Sequence, residues 1–146
     1  MLSITQMLKT HIDEVFAIDK TVGVSPWSYE ALQKELTESA YGSYYVAVDD
    51  NKVIGYASLW HICDEAHVMK IAVAEPYRRR GVGSLLLRML LERAKEKKVF
   101  GVTLEVRCGN IAAITMYEKH GFVRAGLRTD YYDNPKEDAV IMWRYF

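Results

Sequence analysis

The stretch from Tyr77 to Lys97, YRRRGVGSLLLRMLLERAKEK, places three arginines before Gly81 and Gly83 and continues as an amphipathic run. The first backbone N–H groups of a helix have no partner within it, and the helix dipole adds partial positive charge there. A glycine at such a start lets phosphate approach the backbone, because no side chain is in the way. The stretch therefore predicts a loop that holds a pyrophosphate, with a nucleic-acid patch and an ordinary exposed basic turn as alternatives.

Two common phosphate-binding motifs do not fit this stretch. A Walker loop needs Gly, four residues and then Gly-Lys-Ser/Thr, and a dinucleotide fingerprint needs a third glycine where Leu86 stands. What remains is the pattern Arg78-x-x-Gly81-x-Gly83 ahead of a helix.

A second stretch, LEVRCGNIAAITMYEKHGF from Leu104 to Phe122, carries two groups that could move protons. Glu105 interrupts an otherwise apolar strand, and Tyr117 falls on the inward face of the next helix. A buried carboxylate usually has a raised pKa and can act as a base near neutrality, and a buried tyrosine can donate a proton. From the residues alone, Tyr117 could equally be a core side chain, and Glu105 could pair with Arg107 or face solvent.

The overall composition limits the classes of function. Lys plus Arg and Asp plus Glu both total 19 in 146 residues, and this balance disfavours a nucleic-acid binder. Cys63 and Cys108 have no His or Cys at ligand spacing, so we predict neither a disulfide framework nor a metal site, and a reducing cytoplasm fits best. No run resembles a signal peptide or a membrane span, and the length predicts a single domain over residues 1–146.

Apolar spacing and turn residues predict the elements that carry these stretches, in the order β-α-α-β-β-β-α-β-α-β-β. They are a short strand at Ile4, a helix over about residues 8–20, a turn over Ser25–Ser28 whose Ser28 caps a second helix, a hairpin of residues 43–49 and 52–62 closed by Asp50-Asn51, a strand over 66–73, a helix over about 81–97, a strand over 102–106, a helix capped by Asn110 and ended by Gly121, and strands over 122–132 and 139–146. The buried stripe of the helix over about 81–97 is expected to be Leu86, Leu87, Leu90, Leu91 and Ala94.

Taken together, these stretches are similar to a known signature. Arg78 to Gly83 after KIAVAEPY, followed by LEVRCGNIAAITMYEKHGF, resembles the acetyl-CoA signature of the GCN5-related N-acetyltransferase (GNAT) superfamily, which has this element order. The segments SPWSYE, DEAHVMKIAV and YYDNPKEDAVIMWR resemble its RimI-type branch, which acetylates the N-terminal alanine of ribosomal small-subunit protein number eighteen. The resemblance spans about Pro26 to Arg144 and implies an α/β (α+β) fold, with a mixed central sheet of about seven strands flanked by about four helices.

The resemblance also implies a reaction, direct transfer of acetyl from acetyl-CoA to the N-terminus of a ribosomal protein, and roles for individual residues. Glu105 would take a proton from the attacking ammonium, directly or through water, and Tyr117 would protonate the departing thiolate. The loop would cradle the pyrophosphate, the strand before it would bind the pantetheine arm, and Asn110 would lie near the thiol. The residues expected to bind the coenzyme are Ile71, Ala72, Val73, Arg78, Arg79, Arg80, Gly81, Val82, Gly83, Ser84 and Asn110.

In one respect the loop departs from its relatives. Many carry Gln where this chain has Arg78 or Arg80, so we expect tighter and more salt-sensitive coenzyme binding.

Several side chains and functions stay open at this point. Trp27, Tyr131 and Tyr132 either line the acceptor groove or pack as ordinary aromatics. None of the four histidines has a triad-like context, and His67 is the most plausible participant because it begins the strand that leads to the loop. The acceptor could instead be an internal lysine or a small-molecule amine. A non-catalytic acetyl-CoA-binding module is a further alternative, against which the presence of both Glu105 and Tyr117 argues.

Overall fold

The computed structural model describes residues 1–22 and 26–146, and its element order matches the predicted one. The elements are β1 (Leu2–Gln6), α1 (Ile12–Val22), α2 (Tyr29–Glu38), β2 (Gly42–Asp49), β3 (Lys52–Ile62), β4 (Glu65–Val73), α3 (Val82–Glu96), β5 (Gly101–Arg107), α4 (Ile111–Lys119), β6 (Val123–Tyr132) and β7 (Glu137–Tyr145), with 3-10 turns at Lys9–His11 and Glu75–Tyr77. The expected α/β (α+β) fold, with four α-helices and one mixed seven-stranded sheet in these residues, is confirmed.

The strands lie in the order β1-β2-β3-β4-β5-β7-β6. Neighbours are antiparallel except β4 and β5, which run parallel and pair only over Glu65–His67 and Gly101–Thr103. Beyond those three pairs the two strands separate, so the sheet opens in its middle. This opening lies between the two stretches that the sequence marks as chemically active.

Each face of the sheet has its own apolar core. The predicted stripe of α3 is buried on one face, against Leu104, Val106 and Met142 of β5 and β7. On the other face α1 and α2 cover β2 and β3 through Val15, Leu32 and neighbouring side chains. The face of β5 opposite α3 carries Glu105.

Local chemistry explains most of the element ends. The Ser28 hydroxyl caps α2 by accepting from Ala31 N at 3.1 Å, and the Asn110 side chain caps α4 by accepting from Ala113 N at 3.2 Å, both as predicted. Asp50 and Asn51 adopt the left-handed backbone of a tight hairpin turn, with φ of 49° and 65°. The predicted turn over Ser25–Ser28 is described only from Pro26 onward, and Ser25 lies outside the described residues.

The first helix begins later than its apolar spacing predicts. Leu8 is extended, and its N–H donates to His11 Nδ1 at 2.9 Å, which holds residues 9–11 in a 3-10 turn before α1 starts at Ile12. Apolar spacing alone does not reveal that the His11 imidazole accepts a hydrogen bond from the backbone N–H of Leu8, so it predicts too early a helix start. In residues 1–22 and 26–146 no helix combines the length and the apolar character needed to cross a bilayer.

Candidate active site

The opening between β4 and β5 creates a free strand edge. Ile71, Ala72 and Val73 pair with β3 on one side only, since the register of β4 with β5 ends at His67. An extended amide-containing arm can bind such an edge by adding hydrogen bonds. The carbonyl of Val73 already accepts from Arg78 Nε at 3.1 Å, so the loop is tied to the end of this edge.

The predicted phosphate loop lies at the start of α3, directly after this edge. The first intrahelical hydrogen bond, from Leu85 N to Gly81 O at 3.1 Å, leaves the N–H groups of Val82, Gly83 and Ser84 without partners in the helix. Three backbone donors at the positive end of a 15-residue helix form an anion site.

The two glycines of the loop differ in backbone conformation and in what a side chain would meet. Gly81 is left-handed, with φ of 79°, and a Cβ there would meet nothing within 4 Å. A Cβ on Gly83 would lie 3.4 Å from Met116 Sδ on α4 and 3.9 Å from Val73 Cγ2. Backbone conformation therefore favours glycine at Gly81, whereas a Cβ at Gly83 would make ordinary van der Waals contact, so packing does not by itself require glycine there. Arg79 is also left-handed, with φ of 64°, and the Arg80 guanidinium lies 5.6 Å from the ring centroid of Tyr77.

Glu105 lies on β5, just beyond the point where β4 and β5 part. Its side chain is 10% exposed, its Oε2 is 3.0 Å from His67 Nε2, and its Oε1 accepts from the Tyr131 hydroxyl at 3.4 Å. The hydrogen bond from His67 lowers the pKa of Glu105 and outweighs the opposing effect of burial. The expectation of a raised pKa from burial was therefore wrong, because the stabilising partner comes from another strand.

The alternative pairing of Glu105 with Arg107 is also wrong. Arg107 Nη1 lies 3.2 Å from Glu137 Oε1 and donates to the carbonyl of Pro135 at 2.8 Å. Its guanidinium lies 4.3 Å from the ring centroid of Tyr132, and Glu137 Oε2 accepts from Gly109 N at 2.8 Å. These contacts tie the β6–β7 hairpin to the connection between β5 and α4, an anchor that sequence reasoning missed.

Tyr117 is buried on α4, beside Phe122 at a ring distance of 5.7 Å. Burial, with a smaller contribution from Tyr132, raises its pKa to about 12, so the phenol keeps its proton at neutral pH. No hydrogen bond to the Tyr117 hydroxyl is made by any residue that the structure describes. Burial also raises the pKa of Tyr132 to about 12, with contributions from Tyr131 and Glu105. Tyr132 is thus electrostatically coupled to both predicted proton-transfer residues.

Some of the remaining side chains that the sequence singled out contact Glu105, and others contact different groups. Tyr131 contacts Glu105, whereas the Trp27 ring lies under the Lys70 ammonium, 4.0 Å from its centroid. Of the histidines, His67 meets Glu105, as its place on the strand suggested. His11 and His120 bond nearby backbone atoms instead.

Metal-binding groups and cysteine pairing can be described for the same residues. Across the described ranges, no group of three or more His, Cys, Asp or Glu side chains is arranged to hold a metal ion. Cys63 and Cys108 are both free and exposed.

The family model described as Acetyltransferase (GNAT) family matches residues 10–122 of this chain. A Bacillus subtilis (strain 168) relative is 36% identical over 141 residues, which cover 97% of this chain and 93% of the relative. The ribosomal protein bS18-alanine N-acetyltransferase of Escherichia coli (strain K12) is 31% identical over 144 residues, 97% of this chain and 96% of that protein. The crystal structure of the ribosomal-protein-S18-alanine N-acetyltransferase from Escherichia coli superposes with a TM-score of 0.89 at 30% identity, covering 99% of this chain and 94% of that one.

Proposed function

This chain belongs to the GNAT family of acetyltransferases, and on that premise we propose that it transfers acetyl from acetyl-CoA to the N-terminal alanine of a ribosomal small-subunit protein. One observation carries the chemistry of this proposal. An ionised carboxylate, Glu105, and a protonated phenol, Tyr117, occur on the two elements that follow the opening in the sheet, next to an anion-binding helix start.

The residues around the opening fit the coenzyme. The backbone from Arg79 to Ser84 would hold the pyrophosphate, the free edge at Ile71–Val73 would bind the pantetheine arm, and Asn110 would lie near the thiol end. When bound, acetyl-CoA supplies an acetyl group activated as a thioester. Because the Asn110 carbonyl oxygen caps α4, its amide NH₂ is the part left to face a ligand.

Glu105 would remove the proton that keeps the acceptor from reacting. An α-amine has a pKa of about 7.7 to 8.0, so most of it is a non-nucleophilic ammonium at neutral pH. Glu105 is ionised there because its pKa is lowered, and it is ready to accept a proton. A carboxylate of low pKa does not hold that proton long, and His67, whose side chain is 38% exposed, offers a path from Glu105 to solvent.

Tyr117 would supply the proton for the departing sulfur. A free thiol has a pKa of about 8.5, far below the value of about 12 for Tyr117, so the transfer would be unfavourable in water. Burial also raises the pKa of a thiol. In a site that excludes water, the difference between the pKa of the departing thiol and that of Tyr117 is therefore smaller. The Tyr117 hydroxyl makes no hydrogen bond with the residues that the structure describes, so it is free to donate there.

The choice of acceptor is supported by the named relatives. The Escherichia coli enzyme, similar over nearly the full length of both chains, acts by name on the alanine of ribosomal protein bS18. An acceptor of this kind supports a cytoplasmic location for the proposed reaction.

The test is a mass-spectrometric assay with acetyl-CoA and two peptides. The first is the N-terminal hexapeptide of the ribosomal protein from the same organism, beginning with free alanine. The second has the same sequence with a blocked N-terminus and an internal lysine. We expect acetylation of the first peptide only. Modification of the second would indicate a lysine acetyltransferase, and coenzyme binding without transfer to any amine would indicate a binding module.

A further inference from the structure

A fully buried carboxylate lies outside the chemistry described so far. Asp19, near the end of α1, is 0% exposed and is surrounded by donors. Lys70 Nζ lies 2.9 Å from its Oδ1 and 3.2 Å from its Oδ2, the backbone N–H of Trp27 donates to Oδ2 at 2.6 Å, and the Tyr56 hydroxyl donates to Oδ1. Asp19, Tyr56, Lys70 and Trp27 together are called the Asp19 cluster below.

The cluster joins four parts of the chain. Asp19 belongs to α1, Tyr56 to β3, Lys70 to β4, and Trp27 to the segment just before α2. A buried ion pair seldom adds net stability over apolar packing. Removing one partner, however, leaves the other charge buried without compensation, which is strongly destabilising. Such a pair is therefore suited to fixing one arrangement of the elements it joins.

Trp27 contacts both members of the Asp19–Lys70 pair. Its backbone N–H is bound by Asp19, and its ring lies 4.0 Å from the Lys70 ammonium, at cation–π distance. The ring is also 6.1 Å from that of Tyr56. Both the backbone and the indole of Trp27 thus depend on the Asp19–Lys70 pair.

The strand irregularity beside the cluster brings it to the face that carries the candidate catalytic groups. On β4, Val68 pairs with Leu59 but Lys70 pairs with Ser58, so Met69 is an extra residue. This bulge returns the Lys70 side chain to the face of His67. Ala72, two residues further on, accordingly packs under α1 and α2.

From this geometry we propose that Asp19 and Lys70 are positioning residues, which hold Trp27 as a wall of the acceptor site beside His67 and Glu105. The acceptor is an extended peptide with a free α-amine, so this inference rests on the proposed function. Loss of the pair lets Trp27 shift, which disturbs acceptor placement, while the coenzyme edge and the loop at α3 stay intact. A displacement of about 1 Å in a reactant can lower the rate by two orders of magnitude.

Kinetics with both substrates test the proposal. For Asp19→Asn, Lys70→Met and the double variant, we expect kcat/KM for the alanine peptide to fall by about tenfold or more, with the KM for acetyl-CoA unchanged. The double variant leaves neither charge stranded, so it is the variant expected to fold. If the residues act as one unit, the double variant loses no more than the worse single variant.

Glu14→Gln is the matched control. Glu14 is also a carboxylate on α1 that bonds a strand, accepting from Val53 N at 2.9 Å, and in the described ranges it forms no hydrogen bond or ion pair with the Asp19 cluster. It should leave the KM of both substrates unchanged, which separates positioning from a general loosening of α1. A double variant with the acceptor kcat/KM of the wild type would overturn the proposal, as would an equal rise in the KM for acetyl-CoA.

A spectroscopic measurement keeps the test independent of the acceptor. The chain has three tryptophans, so Trp27 is the single fluorophore of its kind in a Trp60→Phe/Trp143→Phe background. Adding Asp19→Asn/Lys70→Met to that background should increase the quenching of Trp27 by acrylamide, and unchanged quenching would overturn the proposal. If the wild type acetylates no N-terminal peptide, the proposed function fails, while quenching still decides whether the pair holds Trp27.

Discussion

The imidazole Nε2 of His67 lies 3.0 Å from the carboxylate Oε2 of Glu105, where the pairing between their strands ends. His67 is the last residue of β4 that pairs with β5, and Glu105 lies two residues beyond its partner Thr103. The carboxylate is therefore both held by a neighbouring strand and open to the gap that follows.

Replacing Glu105 by Gln removes the proposed base while keeping the size of the side chain. We expect kcat for an N-terminal alanine peptide to fall by about 10² to 10⁴, the usual contribution of a general base. Acetyl-CoA binding, measured by calorimetric titration, should be retained. Glu96→Gln is the control, since Glu96 is an exposed carboxylate paired with Arg93 on α3. Wild-type turnover of Glu105→Gln at saturating substrates would contradict the assignment.

Replacing Tyr117 by Phe removes the proposed acid. The hydroxyl has no partner in the described part of the chain, so its loss should leave the Tm nearly unchanged or slightly higher. We expect kcat to fall by about tenfold or more, with coenzyme binding kept. Because the pKa of Tyr117 is about 12, the wild type should lose no activity through this group until the pH approaches that value. Tyr145 is an exposed tyrosine at the far end of β7, and the control variant Tyr145→Phe should match the wild type. Equal rates for Tyr117→Phe and Tyr145→Phe would exclude Tyr117 as the acid.

Replacing His67 by Leu tests what lowers the pKa of Glu105. Without the hydrogen bond, which is the largest cause of the lowering, the pKa should rise toward its ordinary value. The low-pH limb of the kcat profile should then move to higher pH, because Glu105 must be ionised to accept a proton. His67→Gln, which keeps a donor, should shift the limb less. An unmoved limb in His67→Leu would show that another group controls Glu105.

The same pair affects stability in acid. A carboxylate whose pKa is lower in the folded than in the unfolded chain adds stability above its unfolded pKa, and this is lost as the pH falls through the folded pKa. His67→Leu should therefore lower the Tm more at pH 7 than at an acid pH below the lowered pKa of Glu105, where both proteins hold this carboxyl protonated. Thermal melts at the two pH values measure the difference. An equal loss of Tm at both would indicate lost packing rather than lost ionic stabilisation.

The arginines of the phosphate loop should make coenzyme binding sensitive to salt. The Arg80 side chain is exposed above Tyr77, so its interaction with an anion is screened as salt rises. In Arg80→Gln, the Kd for acetyl-CoA should rise less between about 50 and 200 mM NaCl than in the wild type. Arg88→Gln, which removes an exposed charge further along α3, should keep the wild-type salt dependence. Identical dependence in all three proteins would mean that the Arg80 side chain does not contribute to holding the phosphates.

Much of the fold followed from local patterns. The apolar stripe of α3, the caps at Ser28 and Asn110, and the turn at Asp50-Asn51 depend on neighbours a few residues apart, and the structure has each as predicted. The start of α1 was misplaced because the His11 imidazole takes the Leu8 N–H, a competition that apolar spacing does not register. Elements that depend on short-range chemistry were thus predictable where the backbone had no rival partner.

By itself, the sequence determined the element order, the glycine loop ahead of α3, and the identity of Glu105 and Tyr117 as candidate proton carriers, since motif and periodicity are properties of neighbouring residues. The tertiary structure alone decided their environments. His67 and Glu105 are 38 residues apart and Asp19 and Lys70 are 51 apart, and only the pairing of strands and the packing of α1 bring these side chains together. The direction of the Glu105 pKa shift was predicted wrongly for this reason. Burial can be inferred from a sequence pattern, whereas the hydrogen bond from His67 that lowers the pKa comes from a neighbouring strand.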